Sequence, residues 1–149
     1  LGQVLWTGKD FAIIDFEGEP ARSLGERRLK RSALADVGGM LRSFQYAAFS
    51  ALAVRKERGL LADEATAEAF DAWAEVFERW ASALFLRGYL AAIEEAPVPL
   101  APRDREHLRL LLDAWLIEKA MYEVRYEIDN RPAWLPIPLR GVLNIVERD

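Results

Sequence analysis

The sequence contains no cysteine and a single histidine, His107. Without Cys there is no disulfide, no thiolate nucleophile and no Cys-ligated zinc. One His excludes a His-rich metal site. His107 lies among charged residues near a predicted helix start, so it is given no catalytic role and no Ser-His-Asp triad is assigned. Basic charge is also in short supply. Twenty Lys and Arg stand against 24 Asp and Glu, for a net charge of −4 and a pI near 5.2. That balance argues against a broad nucleic-acid footprint, which needs a basic surface. No run approaches the roughly 18 uncharged apolar residues that span a bilayer. The opening Leu1-Gly2-Gln3-Val4 lacks the charged n-region and apolar run of a secretory signal. Neither a nucleic acid nor a membrane is expected as a partner. The missing thiols are compatible with a reducing, cytoplasmic compartment. The chain has no initiator Met and opens inside an apolar pattern, as a segment of something longer would.

What is present suffices for a core. Of 149 residues, 52% are hydrophobic and 11% aromatic, which fits one domain or one large piece of one and argues against disorder. Val4-Leu5-Trp6, a turn at Thr7-Gly8-Lys9-Asp10 and the run Phe11 to Phe16 predict a β-hairpin. Glu17-Gly18-Glu19-Pro20 should end its second strand, since Pro cannot extend the ladder. Arg22 to Arg31 is strongly basic and reads as a loop or an exposed helical turn.

From Ser32 the period becomes helical, with Leu34, Val37, Leu41, Phe44 and Ala48 on one face. Gly38-Gly39 suggests close packing of another backbone, and Gly59 suits the end of this helix. A second helix should start at the N-cap Asp63 and carry an aromatic stripe, Phe70, Trp73, Phe77, Trp80, Leu84 and Phe85, whose helical spacing reads as core. It should continue through Tyr89 and Ile93 and stop at Pro97. A third helix is predicted from Asp104 to Asp129, with Leu108, Leu111, Leu112, Trp115, Leu116, Tyr122 and Tyr126 on its apolar face. Asn130-Arg131-Pro132 ends it, and a short helix, Leu139 to Val146, follows Pro136 and Pro138. The expected class is α+β, mostly α-helical, with a hairpin over residues 1–20 and a helical body over 32–149.

Two clusters could carry chemistry. Gln3 before the first strand and Asp15 at the end of the second offer an amide oxygen and a carboxylate, the hard donors that Mg²⁺ takes together with phosphate oxygens. An aspartate after a strand also serves as a turn former. Lys119, Tyr122 and Tyr126, three and four residues apart, share a helix side with Trp115. Such a wall suits a sugar, whose C–H faces pack on aromatic rings while its hydroxyls meet Lys and Tyr. A Lys snorkelling from a core edge would give the same pattern. Arg27, Arg28, Lys30 and Arg31 could meet phosphate, although a short charge run is usually a solvated face.

Three blocks in order resemble the maltokinases, including those fused to trehalose synthase. They are Gln3 with Ile13-Ile14-Asp15-Phe16-Glu17-Gly18-Glu19-Pro20, then Lys30-Arg31-Ser32 with Asp36-Val37-Gly38-Gly39-Met40-Leu41-Arg42-Ser43-Phe44, then a C-terminal block. The last runs from Glu118-Lys119-Ala120-Met121-Tyr122-Glu123-Val124-Arg125-Tyr126-Glu127 through Asn130-Arg131-Pro132 and Trp134 to Ile137-Pro138-Leu139. The resemblance covers nearly the whole chain. It implies a protein-kinase-like fold of which residues 1–149 form most of the C-terminal lobe. It also implies ATP- and Mg²⁺-dependent transfer of the γ-phosphoryl group to the anomeric hydroxyl of maltose, giving maltose 1-phosphate for α-glucan synthesis. Residue by residue, Asp15 matches the metal-binding aspartate, Gln3 the second metal ligand, and Lys119, Tyr122 and Tyr126 the maltose contacts. The family's catalytic loop reads His-Gly-Asp-x-His-Leu-Gly-Gln, of which this chain holds Leu1-Gly2-Gln3. Its catalytic aspartate and the N-terminal lobe are therefore expected outside the chain, which alone should not turn over maltose. A trehalose synthase domain, in the same or a partner chain, is a further implied neighbour. A kinase of the same fold acting on an aminoglycoside, choline or another sugar, and a non-catalytic helical docking module, are the alternatives.

Overall fold

The computed structural model describes residues 1–16, 18 and 23–147, and the chain divides into two compact units, Leu1–Ser32 and Ala33–Asp149. The first contains antiparallel strands β1 (Val4–Trp6) and β2 (Phe11–Ile13) and a short helix, α1 (Leu24–Arg28). Val4 pairs with Ile13, Leu5 with Ala12 and Trp6 with Phe11. The last pair brings two rings to 4.9 Å across the strands, which helps fix the register. The turn closes through Thr7, whose N–H and hydroxyl both donate to Asp10 O at 2.8 Å. Gly8, at φ 92°, takes the left-handed backbone this turn requires.

The second strand was expected to reach Phe16, but it ends at Ile13. Ile14 N–H still donates to Gln3 O at 2.9 Å, and then Asp15 turns the chain away at φ 66°. Aspartate tolerates this conformation better than a β-branched residue does. The exit expected at Glu17, Glu19 and Pro20 lies outside the described residues, as does Arg22. Within the basic segment Ser23 caps α1 and Glu26 reaches back to the Ser23 N–H at 2.9 Å, a reciprocal capping box.

The second unit is helical: α2 (Leu34–Glu57), α3 (Glu64–Glu94), α4 (Arg105–Asn130), a 3₁₀ turn (Pro132–Trp134) and α5 (Pro136–Val146). Mostly helical with a two-stranded hairpin, the chain has the expected α+β composition. Helix α2 is the hub and packs against α3, α4 and α5. Leu34, Val37 and Leu41 meet Leu112 and Leu116 in one buried cluster, and Phe49 and Leu52 meet Ala74 and Ile137 in another. The helix ends follow from the sequence. Gly59, at φ 63°, and Leu60 donate to Lys56 O and Arg55 O, both at 3.0 Å, in a Schellman motif. Asp63 and Asp104 accept from the N–H groups of Thr66 and His107. The Thr66 N–H holds the Asp63 carboxyl below its ordinary range.

Three expectations need correction. The last helix starts at Pro136, not Leu139. Proline has no N–H to donate, and the first turn of a helix has no acceptor for one, so Pro136 and Pro138 fit that turn. The close backbone packing expected of the glycine pair holds at Gly38, which is buried against the α4 backbone, but not at Gly39. A Cβ at Gly38 would touch Trp115 and Leu116 at ordinary distances of 3.5 and 3.6 Å, and one at Gly39 would meet nothing within 4 Å. Finally, the aromatic stripe is not core. Trp73 and Trp80 are 70% and 65% exposed, and Phe70, Phe77 and Leu84 are also open. Of that series Phe85 packs inward, its ring 5.7 Å from Phe44. Helix α3 buries the adjacent face through Ala74 and Phe85, and the stripe lies beside that face, bordering α2 at Phe70, over whose ring Arg55 sits at 5.6 Å.

Candidate functional site

The two hairpin residues named from the sequence come together. Gln3 precedes β1 and Asp15 follows β2, and the Gln3 Nε2 donates to Asp15 Oδ2 at 3.1 Å. The antiparallel register sets this proximity, because Val4 faces Ile13 and the Ile14 N–H to Gln3 O bond extends the pairing outward by one step. The positive φ of Asp15 then places its carboxylate beside the glutamine amide. Both side chains are exposed. The pair offers a carboxylate and, on rotation of the amide, a carbonyl oxygen. Such a donor set fits a hard divalent ion that completes its shell with water or phosphate oxygens. Among the described residues, no group of three or more His, Cys, Asp or Glu is placed to hold a metal.

The second named group lies on α4 in the helical unit. Lys119 Nζ sits 4.7 Å from the Tyr122 ring centre, and Tyr126, one turn further, is 44% exposed. The offsets of three and four put these residues on one side of the helix, as expected. Tyr126 was also assigned to the apolar face, and there the structure differs. The buried line of α4 runs Leu112, Leu116, Ala120, Glu123 and Glu127. Tyr126 instead borders the surface, where Arg131 stacks over it at 5.4 Å and over Trp134 at 4.3 Å.

The buried glutamates anchor that surface, and sequence reasoning missed them. Arg42, 4% exposed on α2, donates through Nε to Glu123 Oε2 at 2.8 Å, with Nη2 at 2.6 Å from the same oxygen. Its Nη1 donates to Gln45 Oε1. Glu127, 1% exposed, accepts from Tyr46 OH at 3.0 Å and from Arg131 Nε and Nη2 at 3.0 and 2.8 Å. Burial pushes the Glu123 carboxyl above its usual range, against the pull of Arg42. Burial, reinforced by Glu123 and Glu127, pushes the Tyr46 phenol well up, so it stays a protonated donor. One signal was available. Arg42 and Gln45 fall on the apolar stripe of α2, and Glu123 and Glu127 continue the stripe Leu112–Leu116–Ala120 of α4. Opposite charges on two facing apolar stripes predict a buried pair.

The network occupies part of the block compared with maltokinases, so Glu123, Glu127 and Arg131 have a packing role here. Asn130 Nδ2 donates to Tyr126 O at 2.9 Å and closes the helix beneath that tyrosine. Ile137 and Pro138 are buried on α5. A cavity of about 160 Å³ lies between Arg42, Gln45, Ser82 and Asn144. It is smaller than the ~300–1,000 Å³ of ordinary ligand pockets, and none of Lys119, Tyr122 and Tyr126 lines it. No protein-family model matches the chain. Among the described residues, no helix is long and apolar enough to cross a membrane.

Proposed function

We propose that the chain supplies the metal-holding hairpin and a sugar-holding helix of an ATP-dependent maltokinase, within the C-terminal lobe of a protein-kinase-like fold. One observation carries this reading: the 3.1 Å contact between the Gln3 amide and the Asp15 carboxylate at the open end of the hairpin. Two oxygen-bearing side chains twelve residues apart, exposed and adjacent, suit a shared cation better than a structural role in so small a hairpin. Asp15 and Gln3 would hold a Mg²⁺ ion, which would supply charge neutralisation for phosphoryl transfer from ATP. Lys119 donates to a sugar hydroxyl, and the rings of Tyr122 and Tyr126 pack on sugar C–H faces. Arg131, Glu127 and Asn130 keep Tyr126 from collapsing onto its own helix, so that binding energy goes into orienting the acceptor. The aspartate that orients the anomeric hydroxyl belongs, in this reading, to the family's His-Gly-Asp segment outside these residues. An N-terminal lobe, a neighbouring trehalose synthase domain and a cytoplasmic location accompany the reading.

The test is ADP release by the complete enzyme with maltose, glucose, an aminoglycoside and choline as acceptors. Maltose is expected to be preferred. Asp15→Asn should lower turnover on the order of 10²-fold or more with the fold retained. Tyr126→Ala should raise KM for maltose with kcat little changed, the mark of lost uniform binding. Another preferred acceptor would move the assignment to a different small-molecule kinase. The docking-module alternative draws on the exposed face of α3, and Mg²⁺-dependent nucleotide binding by the complete protein would exclude it.

A further inference from the structure

We propose that the outward face of α3 is a dimer interface, occupied by the α3 of a second copy of this chain. Phe70, Trp73, Val76, Phe77, Trp80 and Leu84 follow one another at three- and four-residue steps, and each is exposed. Their open side-chain surface comes to about 600–700 Å², taking ordinary side-chain areas. A patch above a few hundred Å² on a soluble chain marks an interaction site. It also approaches the roughly 800 Å² that each partner contributes to a stable interface.

The pattern of large and small residues favours self-pairing. Place a two-fold axis between Val76 and Phe77, with the helices antiparallel. Phe70 then lies opposite Ala83 of the second copy, and Leu84 opposite its Ala69. Trp73 lies opposite Trp80, and Val76 opposite Phe77. Every pair recurs on the other side of the axis, as an isologous contact requires. Bulky side chains meet alanines on either flank, where the backbones can approach, and the tryptophans stack near the centre. Glu68, Asp71, Glu75 and Glu78 fall off the three- and four-residue steps of the stripe, whose own positions carry no acidic residue. The neighbouring face of α3 is already packed on α2.

Sedimentation equilibrium of the chain tests the proposal. A dimer with Kd at or below ~50 μM is expected. Trp73→Glu and Trp80→Glu should each weaken it at least ~10-fold without changing the helical circular dichroism, because both rings are exposed in the single chain. The chain has no native Cys, so single thiols report position cleanly. Phe77→Cys, at the axis, should cross-link into a covalent dimer on oxidation, and Arg79→Cys, off the stripe, should not. A monomer at that concentration would overturn the proposal and leave the stripe to another segment of a longer polypeptide. So would a dimer that tolerates both glutamates, or one broken only by Trp6→Ser in the hairpin.

Discussion

Replacing Arg42 by Met probes the buried centre of the helical unit. The guanidinium is 4% exposed and holds Glu123 through contacts of 2.6 and 2.8 Å. Methionine matches much of its length but leaves the carboxylate on the buried face of α4, and leaves Gln45 Oε1 without its donor. Removing one member of a buried pair costs about 3–5 kcal/mol, far more than a surface change. The cost should depend on pH. Burial already lifts the Glu123 carboxyl above its ordinary 4.5 with Arg42 in place, and without Arg42 it must rise further. A carboxyl with a raised folded-state pKa contributes stability below the unfolded value and loses it as pH climbs through the folded one. Arg42→Met should therefore be most damaging near neutral pH and milder as the pH falls and the stranded group takes up a proton. The double variant Arg42→Met with Glu123→Met removes the stranded charge. It should recover most of the loss, short of about 1–3 kcal/mol for the unpaired Gln45 amide. Urea unfolding midpoints at constant m measure each value. A single-variant cost below about 1 kcal/mol at neutral pH, or a double variant as damaged as the single, would refute the argument.

Two glycines should respond in opposite directions. A Cβ at Gly141 would collide with the Arg42 guanidinium and stand 2.8 Å from Gln45 Oε1, so Gly141→Ala should cost roughly 1–3 kcal/mol in the same urea assay. Gly39→Ala meets open space inside α2 and should raise stability by about 0.5–1 kcal/mol. At the hairpin, Asp15→Asn should lower the proposed Mg²⁺-dependent turnover on the order of 10²-fold or more while leaving the thermal midpoint nearly unchanged, because the side chain is exposed.

The helical unit was legible where local chemistry sets the answer. Asp63, Asp104 and Gly59 each mark a helix end by a backbone need that few residues meet, and all three serve as caps or terminators. The stripe on α3 was misread because spacing shows that residues share a face, not what covers it. Ala74 and Phe85 already bury the neighbouring face, and the tryptophans are left outside. Proline at 136 and 138 reads as a break until the first-turn rule is applied. The proximity of Gln3 and Asp15 was foreseeable from hairpin register, since a short turn fixes which residues oppose one another. The burial of Glu123 and Glu127 was legible only in part: both continue the apolar stripe of α4, but Arg42 and Tyr46, which pair with them, lie on another helix.

The proposed maltokinase activity is tested most directly by where phosphate goes. If that proposal holds, the full-length protein with ATP, Mg²⁺ and maltose, followed by ³¹P–¹H correlation spectroscopy, should give a phosphorus coupled to the anomeric proton of the reducing glucose. Asp15→Asn should remove that signal. No maltose-dependent product, phosphate on a different hydroxyl, or an undiminished signal from Asp15→Asn would contradict the account.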